Sequence, residues 1–501
     1  MKQECIIVLD TGTTSMRAIV FDHRARTLAS FQQDHPPTYY PDGRVEQAAD
    51  SFAHTCCKLL AQAHAFLEEH GLAAACVSLT SQRSSVIALD SEKNAMLPVL
   101  MWQDRRAAGL CYALEQEEPW IYQRTGLRLS PVFSAPKMLW IAEHEPDLHA
   151  RASRLLGIQD YLIFLLSGSF VIDRSLASRT LLYNLHSGTW DDDLLALFKV
   201  SRSQLCEIID PGEISGHVHT DAARITGIPA GTPLIAAGGD QQCAALGLGL
   251  LDASRAISNT GTGSYLIALS DQPALDPDRG IFCNVAALPG KFILEAGLLA
   301  AGIAYRWFRD LAFPEDTTAG TFESINHAVE TSPPGAHGVL SLPYLAGAGA
   351  PWWNPQARGM FAGLSLGTSR NDIARAILEG IAADLADNFD RICRLAGHKT
   401  RVMAAGGLAR FAEFRQIQAD MLGVPVEYGE QSEATALGAW ISAAVRLGWY
   451  ATFEEAWQAL RHDHATSLSM PRDHVRDLYL SLRRERIAMA IDHHVARQQD
   501  R

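Results

Sequence analysis

Residues 5–9 are apolar and partly β-branched, Asp10 ends the run, Thr11, Gly12, Thr13, Thr14 and Ser15 supply turn chemistry, and residues 17–21 resume an apolar strand. A strand that stops at an aspartate and turns back through glycine and hydroxyl residues reads as a hairpin. A related start lies mid-chain, where residues 234–237 lead into Gly238, Gly239 and Asp240, and residues 256–258 lead into NTGTGSYLIAL. Identity between the halves is too low to prove a duplication. Two such starts nevertheless favour an α/β chain of two domains facing a common cleft. Length agrees, because 501 residues exceed what one hydrophobic core serves. We place the boundary near Leu250, with domains at 1–250 and 251–501.

Residues 28–32 read as a third strand. Residues 50–70 read as a helix, because Phe52, Leu59, Leu60 and Phe66 recur three or four apart. Two strand–helix pieces are expected next, at residues 76–79 and 95–102, the second ahead of a helix from Asp104. Asp191, Asp192 and Asp193 suit the positive end of a helix. The stretches TSPPGAHG (331–338) and GAGAPWWNPQARG (347–359) are too rich in Gly and Pro for regular structure and should line a surface or a cleft. Trp352 and Trp353 there suit stacking on a sugar and packing the loop onto its domain equally well.

With 48% apolar and 20% charged residues, both domains can bury a core without disulfides or metals. The formal charge of −13 and the lack of any basic stripe argue against nucleic acid as a partner. The nine cysteines are scattered and show no C-x-x-C spacing, so they read as reduced, buried thiols. No secretory leader pattern opens the chain and no apolar run approaches membrane-spanning length, so a cytoplasmic protein without a membrane partner is expected. A homodimer is the only protein assembly carried as an expectation.

The turn from Thr11 to Ser15 offers consecutive backbone N–H groups and hydroxyls, and Gly12 permits close approach of a phosphate. Asp10 just before it suits Mg²⁺, which keeps several waters and takes one or two carboxylates. An ordinary hairpin turn explains this one motif equally well. Two more donor-rich turns, at residues 259–264 and at Ala404, Ala405, Gly406 and Gly407, make three, enough to hold a nucleoside triphosphate from two sides. No Walker A sequence is present.

The segments LDTGTTSMRAIVFD, MWQDRR, FSAPKMLW, GGDQQCAALG, GMFAGLSLGTSRNDIARAILE, AAGGLARFAEFRQIQADMLG and EATALGA resemble the FGGY family of carbohydrate kinases, in the same order over nearly the whole chain. Residues 359–379 satisfy the long second signature of that family throughout. TSQRS, GDQQ, GAPWWNPQARG, TALGA and residues 178–195 are nearest in pattern to the glycerol kinase branch. The resemblance implies two ribonuclease-H-like domains of the actin and hexokinase type, with ATP and Mg²⁺ in the cleft and the sugar or polyol held mostly by the first domain.

It also implies roles. The carboxylate of Asp240 is the general base, and Asp10, with Asp240, organises Mg²⁺. Thr11, Gly12, Thr13, Thr14, Ser15 and Arg17 form the first phosphate loop, Gly261 and Thr262 reach the γ-phosphate, and Gly302, Arg306, Gly406, Gly407 and Arg410 border the nucleotide. Gln82, Arg83, Ser84, Trp102, Val132, Gln241 and Tyr265 surround the acceptor beside Asp240. Without the resemblance, Asp240 would suit the N-cap of the helix after it. The pattern departs from glycerol kinase at two pocket positions: Ser84 stands where a Glu is expected and Val132 where a Tyr is expected. Both changes remove contacts to a three-carbon polyol, and a longer polyol or ketose suits the remaining site, unless Phe133 or Tyr265 refills it. Glycerol itself is the alternative acceptor. A sugar sensor without turnover, or an ATPase of the same superfold without a sugar, is the alternative of another class, against which intact Asp10, Asp240 and Thr262 count.

Overall fold

Strand β1 (Gln3–Thr11) is buried from Cys5 onward on both faces, so it has to lie inside a sheet covered on both sides. In this computed structural model, which describes residues 2–429, 433–460 and 466–498, β1 pairs antiparallel with β2 (Ser15–Phe21) from Ile6 opposite Phe21 to Thr11 opposite Met16. The strand β3 (Thr27–Asp34) follows antiparallel and alternates in exposure, as an edge strand does. On the other side β1 runs parallel to β4 (Leu72–Ser81). With β5 (Ile214–His217) and β6 (Pro233–Gly239) the sheet has the order β5-β6-β4-β1-β2-β3.

The second half repeats the logic. Here β7 (Arg255–Thr260) pairs antiparallel with β8 (Ser264–Ser270), whose other neighbour is β10 (Phe292–Leu298), itself flanked by β9 (Phe282–Val285). On its other side β7 runs parallel to β11 (Arg401–Ala405), followed by β12 (Val426–Gly429) and β13 (Thr466–Ser469). In both sheets the first strand is hydrogen-bonded antiparallel to its hairpin partner and parallel to a later strand. That places each Gly/Thr turn at the same end of its sheet, next to the ends of the parallel strands.

Helix α1 (Ala49–Glu69) covers one face of the first sheet, setting Phe52 and Leu59 against Ile7, Leu9 and Val20. The other face, with Ile6, Val8 and Ile19, meets α3 (Asp240–Gly247) through Cys243 and Leu246, and α7 (Ala434–Arg446) through Ala436, Ala439 and Trp440. The same α3 turns Ala245 toward Ile257 and Ile267 of the second sheet. One short helix therefore touches both sheets, and its first residue is Asp240. The crossing of α3 and α7 is backbone-close: a Cβ on Gly438 would collide with the Cys243 carbonyl, and one on Gly247 with the Ala434 carbonyl. Ser78 Oγ donates to Ala439 O at 2.9 Å and Trp440 Nε1 to Asp22 O at 3.1 Å, so a segment late in the chain completes the core of the first sheet.

The long signature stretch has a structural reason. Ser369 caps α5 (Arg370–Ala396) in a reciprocal box with Asp372, and one turn on, buried Arg375 pairs with Glu379 at 2.8 Å. Glu379 also accepts from Tyr479 at 2.8 Å, which docks α8 (Asp473–Gln498) on α5. Asp191 caps the helix Asp192–Leu197, as its sequence suggested. Two expectations need correction. The helix after residue 102 is Ala108–Ala113 and does not begin at Asp104, because the buried Asp104 carboxylate accepts from Val45 N at 2.8 Å and pairs with Arg106 at 2.8 Å, which holds a turn there. The strand–helix reading of residues 76–79 also fails, since β4 passes to the short strand Ile87–Leu89. Among the described residues no helix is long and apolar enough to cross a membrane.

Gly438→Ala is expected to lower stability by about 3 kcal/mol, because the added methyl meets backbone that cannot yield. Thermal unfolding checks this, and an unchanged Tm would show that α3 and α7 separate easily.

Candidate active site

The second and third glycine turns come together because β7 is the neighbour of both β8 and β11, while the first belongs to the other sheet. In the first, Gly12 N donates to Ser15 O at 3.0 Å, closing the β1–β2 hairpin. In the second, Gly261 N donates to Gly263 O at 2.9 Å, and the start of α4 (Gly302–Ala312) docks on it through Gly302 N to Gly261 O at 2.9 Å. In the third, Gly406 has φ of +87° and lies against the Thr260 carbonyl, a place where a Cβ would neither fit nor tolerate the backbone. Gly302, Gly406 and Gly407 thus flank the β7–β8 turn, while Arg306 and Arg410 are exposed beyond it.

Asp10, the last residue but one of β1, is 7% exposed. Its Oδ2 accepts from Arg17 Nη2 at 2.7 Å, and Arg17 Nη1 reaches Glu433 Oε2 at 2.6 Å at the start of α7. Burial raises the Asp10 carboxyl above its ordinary value, with Arg17 acting in the opposite direction. Arg17 therefore ties the first turn to the helix that crosses α3.

Between the two sheets lies a cavity of about 900 Å³. On one side it is lined by Thr13, Gln82, Arg83, Ser84, Trp102 and Val132, and on the other by Gly261, Thr262 and Tyr265, with Asp240 and Gln241 at its base. Asp10, Thr11, Gly12, Thr14, Ser15 and Arg17 stand behind Thr13 and do not line it. Trp102 Nε1 donates to Thr13 Oγ1 at 2.9 Å and Gln82 Nε2 to Gly12 O at 3.2 Å, so the acceptor wall and the first turn are one hydrogen-bonded unit.

Asp240 is the first residue of α3, and Gly239 takes the N-cap position that the sequence left open for it. The Asp240 Oδ1 accepts from Gln241 N at 2.7 Å and lies 3.6 Å from Arg83 Nε. Burial raises the Asp240 carboxyl, Arg83 acts against that rise, and the negative charges of Asp10 and Glu295 add to it. Arg83 Nη1 also reaches Glu295 Oε2 at 3.2 Å.

Sequence reasoning missed Glu295, Arg179 and Phe282, all of which line the cavity, while Asn259, from the second predicted turn, lines it as well. Glu295 had a signal: it is the only charged residue in the strand FILEAGL and is 5% exposed. Trp353 stacks on Phe282 at 4.6 Å and donates from Nε1 to Gly280 O at 2.8 Å, so it packs its loop and lines the cavity at once. Phe133 and Tyr265 both line the cavity beside Val132.

Ser84 holds φ of +70°, the left-handed region, and its Oγ donates to the Arg179 carbonyl at 3.2 Å. Its own carbonyl accepts from Lys137 Nζ at 3.3 Å. Lys137, on α2 (Ser134–His144), also donates to the carbonyls of Pro131, Val132 and Phe133 at 2.8, 2.6 and 3.0 Å. Burial brings this amine down to about 7, while the four surrounding carbonyls favour the ammonium. One buried side chain thus fixes both pocket loops.

The residues 5–247 match the FGGY family of carbohydrate kinases, N-terminal domain, and residues 256–447 match its C-terminal domain. The chain belongs to the FGGY family of carbohydrate kinases. FGGY kinases are phosphotransferases with an alcohol group as acceptor, built on two domains of the actin and hexokinase type. The chain is 35% identical over 463 residues to a glycerol kinase of Alkalilimnicola ehrlichii, covering 89% of this chain and 90% of that one. It is 33% identical over 490 residues to a glycerol kinase of Janthinobacterium, covering 93% and 95%. Among solved structures, a gluconate kinase from Lactobacillus acidophilus superposes with a TM-score of 0.93 at 25% identity over 100% of both chains. A xylulose kinase from Rhodospirillum rubrum superposes with a TM-score of 0.92 at 26% identity over 98% and 99%.

Lys137→Met leaves four buried carbonyls without their donor and is expected to cost about 3 kcal/mol. We expect acceptor KM to rise about tenfold through loosening of the 131–133 loop, with ADP affinity unchanged; steady-state kinetics and nucleotide titration check this.

Proposed function

We propose that this FGGY kinase transfers the γ-phosphoryl group of ATP to a hydroxyl of a small sugar or polyol longer than glycerol, with Asp240 as general base. The observation that carries the reading is the Arg83–Asp240 pair, 3.6 Å apart in the cavity onto which Thr13 and the Gly261–Thr262 turn also face.

Arg83 donates to the acceptor and holds its hydroxyl near Asp240. Asp240 takes the proton as the oxygen attacks, and the rise of its carboxyl on burial makes it a better proton acceptor than a solvated aspartate. The hydroxyls of Thr13 and Thr262 and the N–H groups of the turns supply donors for phosphate oxygens. Since the transition state of phosphoryl transfer is loose, in-line placement and charge neutralisation do most of the work. Gly302, Arg306, Gly406, Gly407 and Arg410 surround the place for the nucleoside, next to the second and third turns.

Asp10 and Asp240 are the two residues that would hold Mg²⁺, which when bound neutralises charge on the β- and γ-phosphates. Among the described residues no group of three or more His, Cys, Asp or Glu is placed to hold a metal ion. Two carboxylates suit a cation that arrives with the nucleotide and keeps its own waters. Nine free cysteines support a reducing, cytoplasmic setting.

Glycerol is the second reading, favoured by the names of the relatives at 33–35% identity. Ser84 and Val132 count against it, since they take away the Glu and Tyr expected of a glycerol pocket. Asp240→Ala is expected to lower kcat by about 10³-fold while ADP still binds. The check is ADP release coupled to acceptor consumption, over glycerol, erythritol and ketopentoses. Unchanged turnover in the variant would sink the role of Asp240, and turnover of glycerol alone by the unaltered chain would sink the longer acceptor.

A further inference from the structure

Arg179 belongs neither to the phosphate turns nor to the acceptor residues that the sequence pointed to. It follows the helical turn Arg174–Ala177, is 5% exposed, and lines the same cavity as Arg83 and Asp240. Its guanidinium lies 5.0 Å from the Phe133 ring centre and 5.9 Å from that of Phe282, so it rests on an aromatic shelf at the acceptor end of the cavity. The nearest carboxylate oxygen, Glu295 Oε2, is 3.8 Å from Nη1, and the same oxygen has its shorter contact, 3.2 Å, with Arg83. The Nε and Nη1 atoms of Arg179 are buried and have no hydrogen-bond partner among the described residues.

Burying a guanidinium without acceptors is costly, and folded chains relieve that cost with a carboxylate or a ligand. Here two cations share one close acid. The other acid, Asp240, faces Arg83 and is committed to the proton of the attacking hydroxyl. Ser84, whose Oγ donates to the Arg179 carbonyl at 3.2 Å, occupies the position at which the glycerol kinase pattern carries a Glu. The Glu of that pattern is therefore absent beside Arg179, whose one close acid, Glu295, is shared with Arg83. Burial and the neighbouring Arg83 charge bring the Arg179 guanidinium down to about 10, against the opposite pull of Glu295 and Asp240.

We propose that Arg179 receives a carboxylate at the end of the acceptor remote from the phosphorylated hydroxyl, so that the substrate is a sugar acid of the aldonate class. A guanidinium binds a carboxylate through charge-assisted N–H donors, here presented by the part of Arg179 that lines the cavity, while Arg83 and Asp240 hold the reacting end. This inference rests on the phosphotransfer reading above and narrows its acceptor.

The test compares kcat/KM with ATP for neutral and acidic acceptors of equal length, erythritol against erythronate and sorbitol against gluconate, with glycerol and glycerate beside them. An acid is expected to exceed its neutral counterpart. In Arg179→Gln the acid-to-neutral ratio should fall on the order of 100-fold, through KM, with part of it restored in Arg179→Lys. Ser84→Glu should move the ratio toward neutral acceptors without touching Arg179, which keeps the test decisive if Arg179→Gln fails to fold. Turnover of neutral acceptors but not acids, or a ratio unchanged in both variants, overturns the inference and leaves the kinase reading standing. Failure to phosphorylate any acceptor of either class, with ADP still bound, overturns both.

Discussion

The two sheets are joined where α3 and α7 cross, and that crossing is tight enough to exclude a single methyl group at Gly247 or Gly438. Helix α3 faces the first sheet through Cys243 and Leu246 and the second through Ala245, with Leu248 just after it, so the position of each sheet relative to the other is set through one two-turn element. Because Asp240 is its first residue, any change in the angle between sheets moves that carboxylate relative to the β7–β8 turn. Arg17 adds a polar tie to the same joint, linking Asp10 to Glu433 at the start of α7.

Within the cleft, charge is arranged in a short series. Asp240, Arg83, Glu295 and Arg179 alternate in sign, with spacings of 3.6, 3.2 and 3.8 Å. All four line the cavity, and protein packs behind them, so each charge acts at greater range than it would in water. Asp240 is raised by burial and restrained by Arg83, Glu295 is held low by both arginines, and Arg179 is left with the weakest contact. The Arg179 end of the series, where the contact is longest, is where a ligand has most to supply.

Much of the fold was legible. The hairpin of β1 and β2, the strand β3, the helix α1 and the second hairpin of β7 and β8 follow from local period and turn chemistry, and they appear within a few residues of where the pattern put them. The errors fell where a distant partner decides the local shape. Asp104 looks like a helix start until Val45 and Arg106 claim its carboxylate. Asp240 reads as a site carboxylate with the N-cap only as its alternative, and Gly239 does take the cap position while the side chain turns to Arg83.

The sequence by itself determined that this is a two-part α/β chain with three glycine turns and a carboxylate before two of the chain's strand-to-turn transitions, because strand period, turn residues and signature stretches are local or contiguous properties. It also pointed to Gln82, Arg83, Ser84, Trp102, Val132, Gln241 and Tyr265, which share one cavity. Only the tertiary structure brought Arg179 and Glu295 to them, from segments 116 residues apart. Neither the segment around Arg179 nor the lone Glu of an apolar strand says locally that the two meet, and that meaning arises only when the two sheets pack around the same cavity.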